Sequence, residues 1–186
     1  MKIPSRRSFL LESGAGLSAV WLASNWPAIL QAREAAASGQ LVFFNPEQAA
    51  VIDAMASQII PTDDTPGAHE ARCVYFIDRG LTTFFHDSQP VYAQGFKDLQ
   101  QFTQEISPGA SLFSALTSRQ QIQILTSMER TPFFRTVRNH TIIGMFSSPA
   151  HGGNYDQAGW KLIGFEDTLN FKPPFGYYDA VSKPGR

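Results

Sequence analysis

The chain has 186 residues, of which 43% are hydrophobic and 17% charged, and its 15 basic and 16 acidic residues give a net charge of −1. This near-neutral balance and the lack of a basic stripe with interleaved aromatic residues argue against nucleic-acid binding. The single cysteine, Cys73, excludes an internal disulfide. As a small apolar residue beside Val74 and Tyr75, it is expected to be buried rather than reactive.

Residues 1–37 are predicted to be an export signal. The stretch SRRSFL places Phe9 and Leu10 just behind the paired Arg6 and Arg7. This order matches the twin-arginine consensus, which is read by a receptor that exports folded proteins. The apolar run that follows is too short and too interrupted to span a bilayer, for which about 20 predominantly apolar residues are needed.

Cleavage is expected after Ala37, at the end of a run of three alanines; the alternative is an uncleaved N-terminal anchor. The signal carries four of the basic and two of the acidic residues, so that residues 38–186 have a net charge of −3. Their number suits one domain with a single core.

Residues 38–186 are predicted to form a single compact all-α domain of about five helices with a glycine-rich C-terminal loop region. In the first helix, Asn45 is a candidate N-cap, Pro46 suits the first helical position and Gln48 completes a capping-box pattern. This helix is predicted to stop at Pro61. Its apolar face contains Val51, Ile52, Met55 and Ile59.

The loop behind the first helix contains Asp63 and Asp64. We interpret it as a solvated capping loop, because a Ca²⁺ site needs more oxygen ligands at regular spacing. A second helix is predicted from about Ala71 to Phe85. Three further helices are predicted to begin at capping residues, namely Ser88, Thr117 or Ser118, and Thr131 followed by Pro132.

The last of these helices carries Arg135, Arg138 and His140 near one another. They are compatible with an anion site. They are also explained by arginines buried against carboxylates of a neighbouring helix or subunit, and this structural interpretation is favoured. The four histidines lack the spacing of a zinc site. Because dinucleotide, phosphate-loop, nucleophile-elbow and paired-cysteine motifs are also absent, no catalytic, cofactor-binding or metal-binding residue is predicted in this chain.

The stretch RNHTIIGMFSSPAHGGNYDQAGWKLIGF, Arg138 to Phe165, closely resembles the signature of the gluconate 2-dehydrogenase subunit 3 family. Residues 43–78 resemble the opening of that family more loosely. Its members are the small or gamma subunits of bacterial flavin-dependent sugar and sugar-acid dehydrogenases. Together with the twin-arginine signal, the resemblance covers nearly the whole chain.

The resemblance implies a division of labour. The catalytic subunit is a flavoprotein of the glucose-methanol-choline type, which holds FAD, oxidises the sugar and commonly passes electrons to a multihaem cytochrome c at the membrane. The small subunit holds no cofactor. It is implied to stabilise the flavoprotein and to carry it through the twin-arginine translocase into the periplasm, where the complex is membrane-associated.

The stretch PAHGGNYDQAGW, residues 149–160, has three interpretations. We favour a partner interface, because tyrosine and tryptophan are typical of interface centres. Its residues are His151, Gly152, Gly153, Asn154, Tyr155 and Trp160. The loop could instead close over the chain's own core. In a rival hypothesis, the chain is not a binding subunit but an independent periplasmic enzyme that uses His151 and Asp156 as general acid and base.

Overall fold

The structure is a computed structural model that describes residues 40–168. The export signal and its cleavage point lie outside the described residues. Within them the chain is all-helical, contains no strand and forms one domain. Its six helices are α1 (Pro46–Ile59), α2 (Cys73–Thr82), α3 (Gln89–Ile106), α4 (Ser118–Met128), α5 (Pro132–Phe146) and α6 (Ala158–Ile163). The prediction of an all-α domain is confirmed, with six helices rather than about five.

Three of the four predicted caps are correct. Asn45 and Gln48 form a reciprocal capping box at α1, Thr117 caps α4, and the Thr131 hydroxyl caps α5. At α3 the predicted position is correct, since the helix begins directly after Ser88, but the predicted cap is not formed, because Ser88 has helical backbone angles inside a short 3₁₀ turn and its side chain makes no capping bond. The local turn takes the place of a cap at α3.

The second helix is shorter than predicted. Arg72 adopts a left-handed conformation with φ of 55°, and α2 begins one residue later. At the other end, the chain leaves the helix at Thr83 and passes into the turn His86–Ser88. The prediction extended to Phe85, whose ring does pack into the core although its backbone is not helical.

Helix α5 lies at the centre of the domain and packs against α1, α2 and α3. The core between these helices and α4 consists of buried side chains, which include Ile52, Met55, Phe76, Ile77, Tyr92, Ile124 and Val137. Cys73 is also fully buried, as predicted. Burial raises the pKa of its thiol to about 12, so that the reactive thiolate is disfavoured.

A buried carboxylate fixes the segment in front of α1. Asp78 of α2 is fully buried and accepts hydrogen bonds from three consecutive backbone N–H groups, those of Val42 at 2.7 Å, Phe43 at 3.0 Å and Phe44 at 2.7 Å. Hydrogen bonds to a charged acceptor are stronger than neutral ones. The start of the domain is therefore tied to α2 by one side chain.

The predicted grouping of Arg135, Arg138 and His140 is wrong. His140 is buried, whereas both arginines are exposed, because residues two apart on a helix face different directions. Within the described residues neither arginine has a carboxylate within ion-pair distance. They are therefore not buried ion-pair partners inside this domain.

His140 belongs to a buried aromatic cluster instead. The Tyr92 hydroxyl lies 3.0 Å from His140 Nδ1, and the Phe85 ring stacks on the imidazole with ring centroids 3.6 Å apart. Burial lowers the pKa of His140 from its ordinary 6.5 to about 4 and raises the pKa of Tyr92. The imidazole is therefore neutral near pH 7, and a buried hydrogen bond joins it to the tyrosine hydroxyl.

We expect the free energy of unfolding to fall as the pH is lowered from about 6.5 to about 4. In this range the unfolded chain protonates His140 while the folded chain resists it, so that acid favours unfolding. Urea unfolding at a series of pH values measures the slope. His140→Gln should flatten the slope in this range, and an unchanged slope would show that His140 does not cause it.

Candidate functional site

The glycine-rich loop after α5 runs back along α2 in the opposite direction. In loop order, His151 lies beside Phe84, Gly152 beside Arg79, Gly153 beside Phe76 and Tyr155 beside Ala71. The last of these contacts is a hydrogen bond of 3.1 Å from the Tyr155 N–H to the Ala71 carbonyl. The loop therefore covers one face of α2 from its C-terminal to its N-terminal end.

Glycines allow this loop to approach the end of α5 closely. A β-carbon at Gly153 would overlap the carbonyl oxygen of Gly144, and one at Gly159 would overlap that of Met145. A β-carbon at Gly144 itself would lie 2.9 Å from the Phe76 ring. At these positions a side chain has no room, and the backbones of loop and helix pack directly on each other.

Asn154 locks the turn from the inside. It is fully buried with a left-handed φ of 46°. Its side-chain amide donates to the Ser147 carbonyl at 2.9 Å, and its side-chain oxygen accepts from the Gly159 N–H at 2.8 Å. One side chain thus joins the end of α5 to the start of α6, which explains why an asparagine follows the glycine pair.

Trp160 closes the other end of the loop. Only 9% of it is exposed, and its indole N–H donates to the Phe146 carbonyl at 2.9 Å. The ring packs against Phe165 with centroids 5.0 Å apart. The indole therefore lies over the C-terminal end of α5, in contact with its own chain.

The structure separates the six residues predicted for the partner interface into two groups. Gly152, Gly153, Asn154 and Trp160 are buried in contacts within the chain. His151 and Tyr155 have exposed side chains. The interface role stays a prediction, and its direct contacts are expected from the exposed pair, which the buried group holds in place.

His151 and Tyr155 are part of a larger exposed surface, which we call the α2–loop surface. Its members are Arg72, Arg79, Phe84, His151 and Tyr155. The Arg72 guanidinium lies over the Tyr155 ring at 3.7 Å from its centroid, a cation–π contact. Phe84 is 57% exposed and Tyr155 is 49% exposed, so that two aromatic rings and three basic side chains face outward or line the edge.

Sequence reasoning missed three members of this surface, namely Arg72, Arg79 and Phe84. Arg72 and Arg79 are seven residues apart, which is two helical turns and places them on one face. This spacing is a signal that was available in the sequence. Phe84 carries no such signal, because in the sequence it is one of several apolar residues of the predicted second helix.

The rival acid–base pair is not brought together. The Asp156 carboxylate lies 2.9 Å from Lys161 Nζ, and both groups are exposed. Among the ion pairs of the described residues, none joins Asp156 to His151. A second His–Asp pair, His69 with Asp53 at 2.7 Å, lies elsewhere on the surface.

Residues 40–168 contain neither a metal cluster nor a membrane-spanning helix. In that range no group of three or more His, Cys, Asp or Glu side chains is arranged to hold a metal ion. None of its helices combines the length and the hydrophobicity needed to cross a bilayer.

The fold and the site together define an all-α domain in which a glycine-closed loop and α2 form an aromatic and basic surface. The sequence profile described as Gluconate 2-dehydrogenase subunit 3 matches residues 46–167, which include all six helices and the loop, and the chain belongs to this family. The family name implies a subunit of a multi-subunit dehydrogenase complex. Neither the curated proteins nor the solved structures give a significant match.

Gly159→Ala should lower the free energy of unfolding by about 2 kcal/mol, because the new methyl group overlaps the Met145 carbonyl. The sign is informative, since alanine is ordinarily favoured over glycine in a helix by about 1 kcal/mol. Gly164→Ala is the matched control. It has a φ of 66° but open space around it, so that only the left-handed strain of about 1 kcal/mol applies. Urea unfolding would contradict this account if Gly159→Ala were neutral or stabilising.

Proposed function

We propose that this chain is the non-catalytic small subunit of a periplasmic flavin-dependent sugar or sugar-acid dehydrogenase. It binds and stabilises a catalytic flavoprotein of the glucose-methanol-choline type and carries that partner through the twin-arginine export pathway. The observation that carries the proposal is the family match over residues 46–167. The proposal assigns sugar oxidation to the partner.

The α2–loop surface supports the binding part of the proposal. Tyrosine, phenylalanine and arginine are enriched in protein interfaces, where rigid aromatic rings supply contact area at a low entropic cost. Phe84 and Tyr155 present such rings, and Arg72 stacks on one of them. Asn154 and the buried glycines hold the loop, so that little ordering free energy is lost on binding.

The cofactors follow the same division. FAD belongs to the flavoprotein, and haem c to a multihaem cytochrome subunit that takes its electrons at the membrane. The small subunit contributes no redox group and no catalytic side chain to this scheme. Its place is in the periplasm, attached to the membrane through the complex.

The export part rests on Arg6, Arg7, Phe9 and Leu10 of the twin-arginine stretch. The pathway carries folded proteins, which suits a partner that has to bind its flavin before it crosses the membrane. A single signal on the small subunit is then enough for the assembled pair.

Replacing Arg6 and Arg7 together with lysine should leave both the small subunit and the flavoprotein in the cytoplasm. Lysine keeps the charge but lacks the guanidinium geometry that distinguishes arginine. The measurement is dehydrogenase activity and flavin content of periplasmic and cytoplasmic fractions. Arg33→Lys, in the same leader but outside the motif, should leave export unchanged. A flavoprotein that still reaches the periplasm with the double variant would contradict the carrier role.

A further inference from the structure

Arg79 is a member of the α2–loop surface whose guanidinium has no hydrogen-bond acceptor among residues 40–168. It projects from α2, is half-buried, and its Nη2 atom is buried without a hydrogen-bond partner. Burial lowers the pKa of its guanidinium, and the charge of Asp78 opposes that change. Arginine nevertheless stays charged at any physiological pH, so this part of the surface contains a cation that no carboxylate of residues 40–168 contacts within ion-pair distance.

One acid of α2 and one of the loop are already engaged. The two carboxylate oxygens of Asp78 accept hydrogen bonds from three backbone N–H groups at the start of the domain. The Asp156 carboxylate pairs with Lys161. No ion pair of the described residues includes Arg79. Within residues 40–168, therefore, the chain supplies no carboxylate to this guanidinium.

The loop is built to leave room for the guanidinium. Gly152 has a φ of 98° and lies directly against Arg79, where a β-carbon would overlap Nη1. The neighbouring His151 and Phe84 rings lie with centroids 6.2 Å apart. The arginine head group thus lies against Gly152, next along the loop to the His151 ring that neighbours Phe84.

An unpaired buried donor is unfavourable for the isolated chain, and proteins keep very few of them. A guanidinium presents paired N–H donors in a planar fork that matches a carboxylate. A phosphate site, by contrast, is ordinarily built from several converging donors, whereas the Arg79 head group lies against Gly152, which offers no second charged donor. A single carboxylate from another protein is the acceptor that fits this arrangement.

We propose that Arg79 receives an Asp or Glu carboxylate of the catalytic flavoprotein, and that the exposed rings of Phe84 and Tyr155, towards the two ends of α2, pack against the same partner and limit the access of water to this ion pair. The inference rests on the proposed function, since it names the chemistry by which the small subunit recognises its partner. Arg79 is thus a specificity-determining residue of the interface, where a desolvated ion pair fixes orientation.

The test uses the full complex, co-expressed with an affinity tag on the small subunit. The purified complex is diluted, and the flavin that stays with the tagged chain gives a dissociation constant, at about 50 mM and about 500 mM NaCl. Arg79→Gln should raise the dissociation constant at least about tenfold at low salt, and Arg79→Lys should raise it less, since lysine keeps the charge without the fork. The matched control Arg130→Gln should change it by less than about twofold, because Arg130 is exposed and meets only its neighbour Glu129.

A second readout separates recognition from folding. Because Arg79 has no hydrogen-bond or ion-pair partner among residues 40–168, Arg79→Gln should leave the melting temperature of the small subunit unchanged or raise it. A lowered melting temperature together with weaker binding would assign Arg79 a structural role and overturn the inference. Asp→Asn and Glu→Gln variants across the flavoprotein should then include one whose effect is not additive with Arg79→Gln.

The outcomes for the inference and for the proposed function are distinct. If the wild-type chain retains no flavoprotein, the proposed function itself fails. If the wild-type chain retains the flavoprotein and the dissociation constant of Arg79→Gln is no higher than that of Arg130→Gln, the proposed function stands and the ion pair is excluded. If weakening is seen but every acidic variant of the flavoprotein is additive with Arg79→Gln, the carboxylate partner is excluded.

Discussion

Direct backbone packing between the glycine-rich loop and the end of α5 is the constraint on which the rest of the site depends. Gly153 and Gly159 lie against carbonyl oxygens of α5, and Gly144 makes room for the Phe76 ring. Since no side chain separates loop from helix, the loop has one position, and Asn154 fixes it with two hydrogen bonds. That position in turn sets the path of residues 151–155 along α2.

The fixed path of the loop links its buried side chains to its exposed ones. The same loop buries the Asn154 amide and the Trp160 indole, yet turns His151 and Tyr155 outward. Left-handed φ values at Asn154, Asp156 and Gln157 show that the loop is held in a conformation which non-glycine residues seldom adopt. Strain of this kind persists where surrounding contacts over-determine it, and such segments are typical of functional surfaces. The α2–loop surface is thus presented by a scaffold that needs little rearrangement to bind a partner.

The sequence was sufficient for local structure and insufficient for the surface. Asn45, Thr117 and Thr131 cap helices as predicted because capping acts over three or four residues. Asp78 lies within the predicted second helix, but its three bonds to a segment about 35 residues away have no local signal in the sequence. The division of residues 149–160 into buried and exposed members depends on contacts with α2 and α5, which periodicity does not encode. The family, by contrast, was evident from the residues of that same stretch.

Hydroxyl-radical footprinting of the small subunit, alone and in complex with the flavoprotein, tests most directly whether the α2–loop surface is the partner interface. Exposed aromatic side chains react readily, and contact with a partner protects them. The account predicts that Phe84 and Tyr155 become protected in the complex, whereas Ile122 of α4, which is 52% exposed elsewhere on the domain, keeps its reactivity. Protection of Ile122 with unchanged labelling of Phe84 and Tyr155 would contradict it.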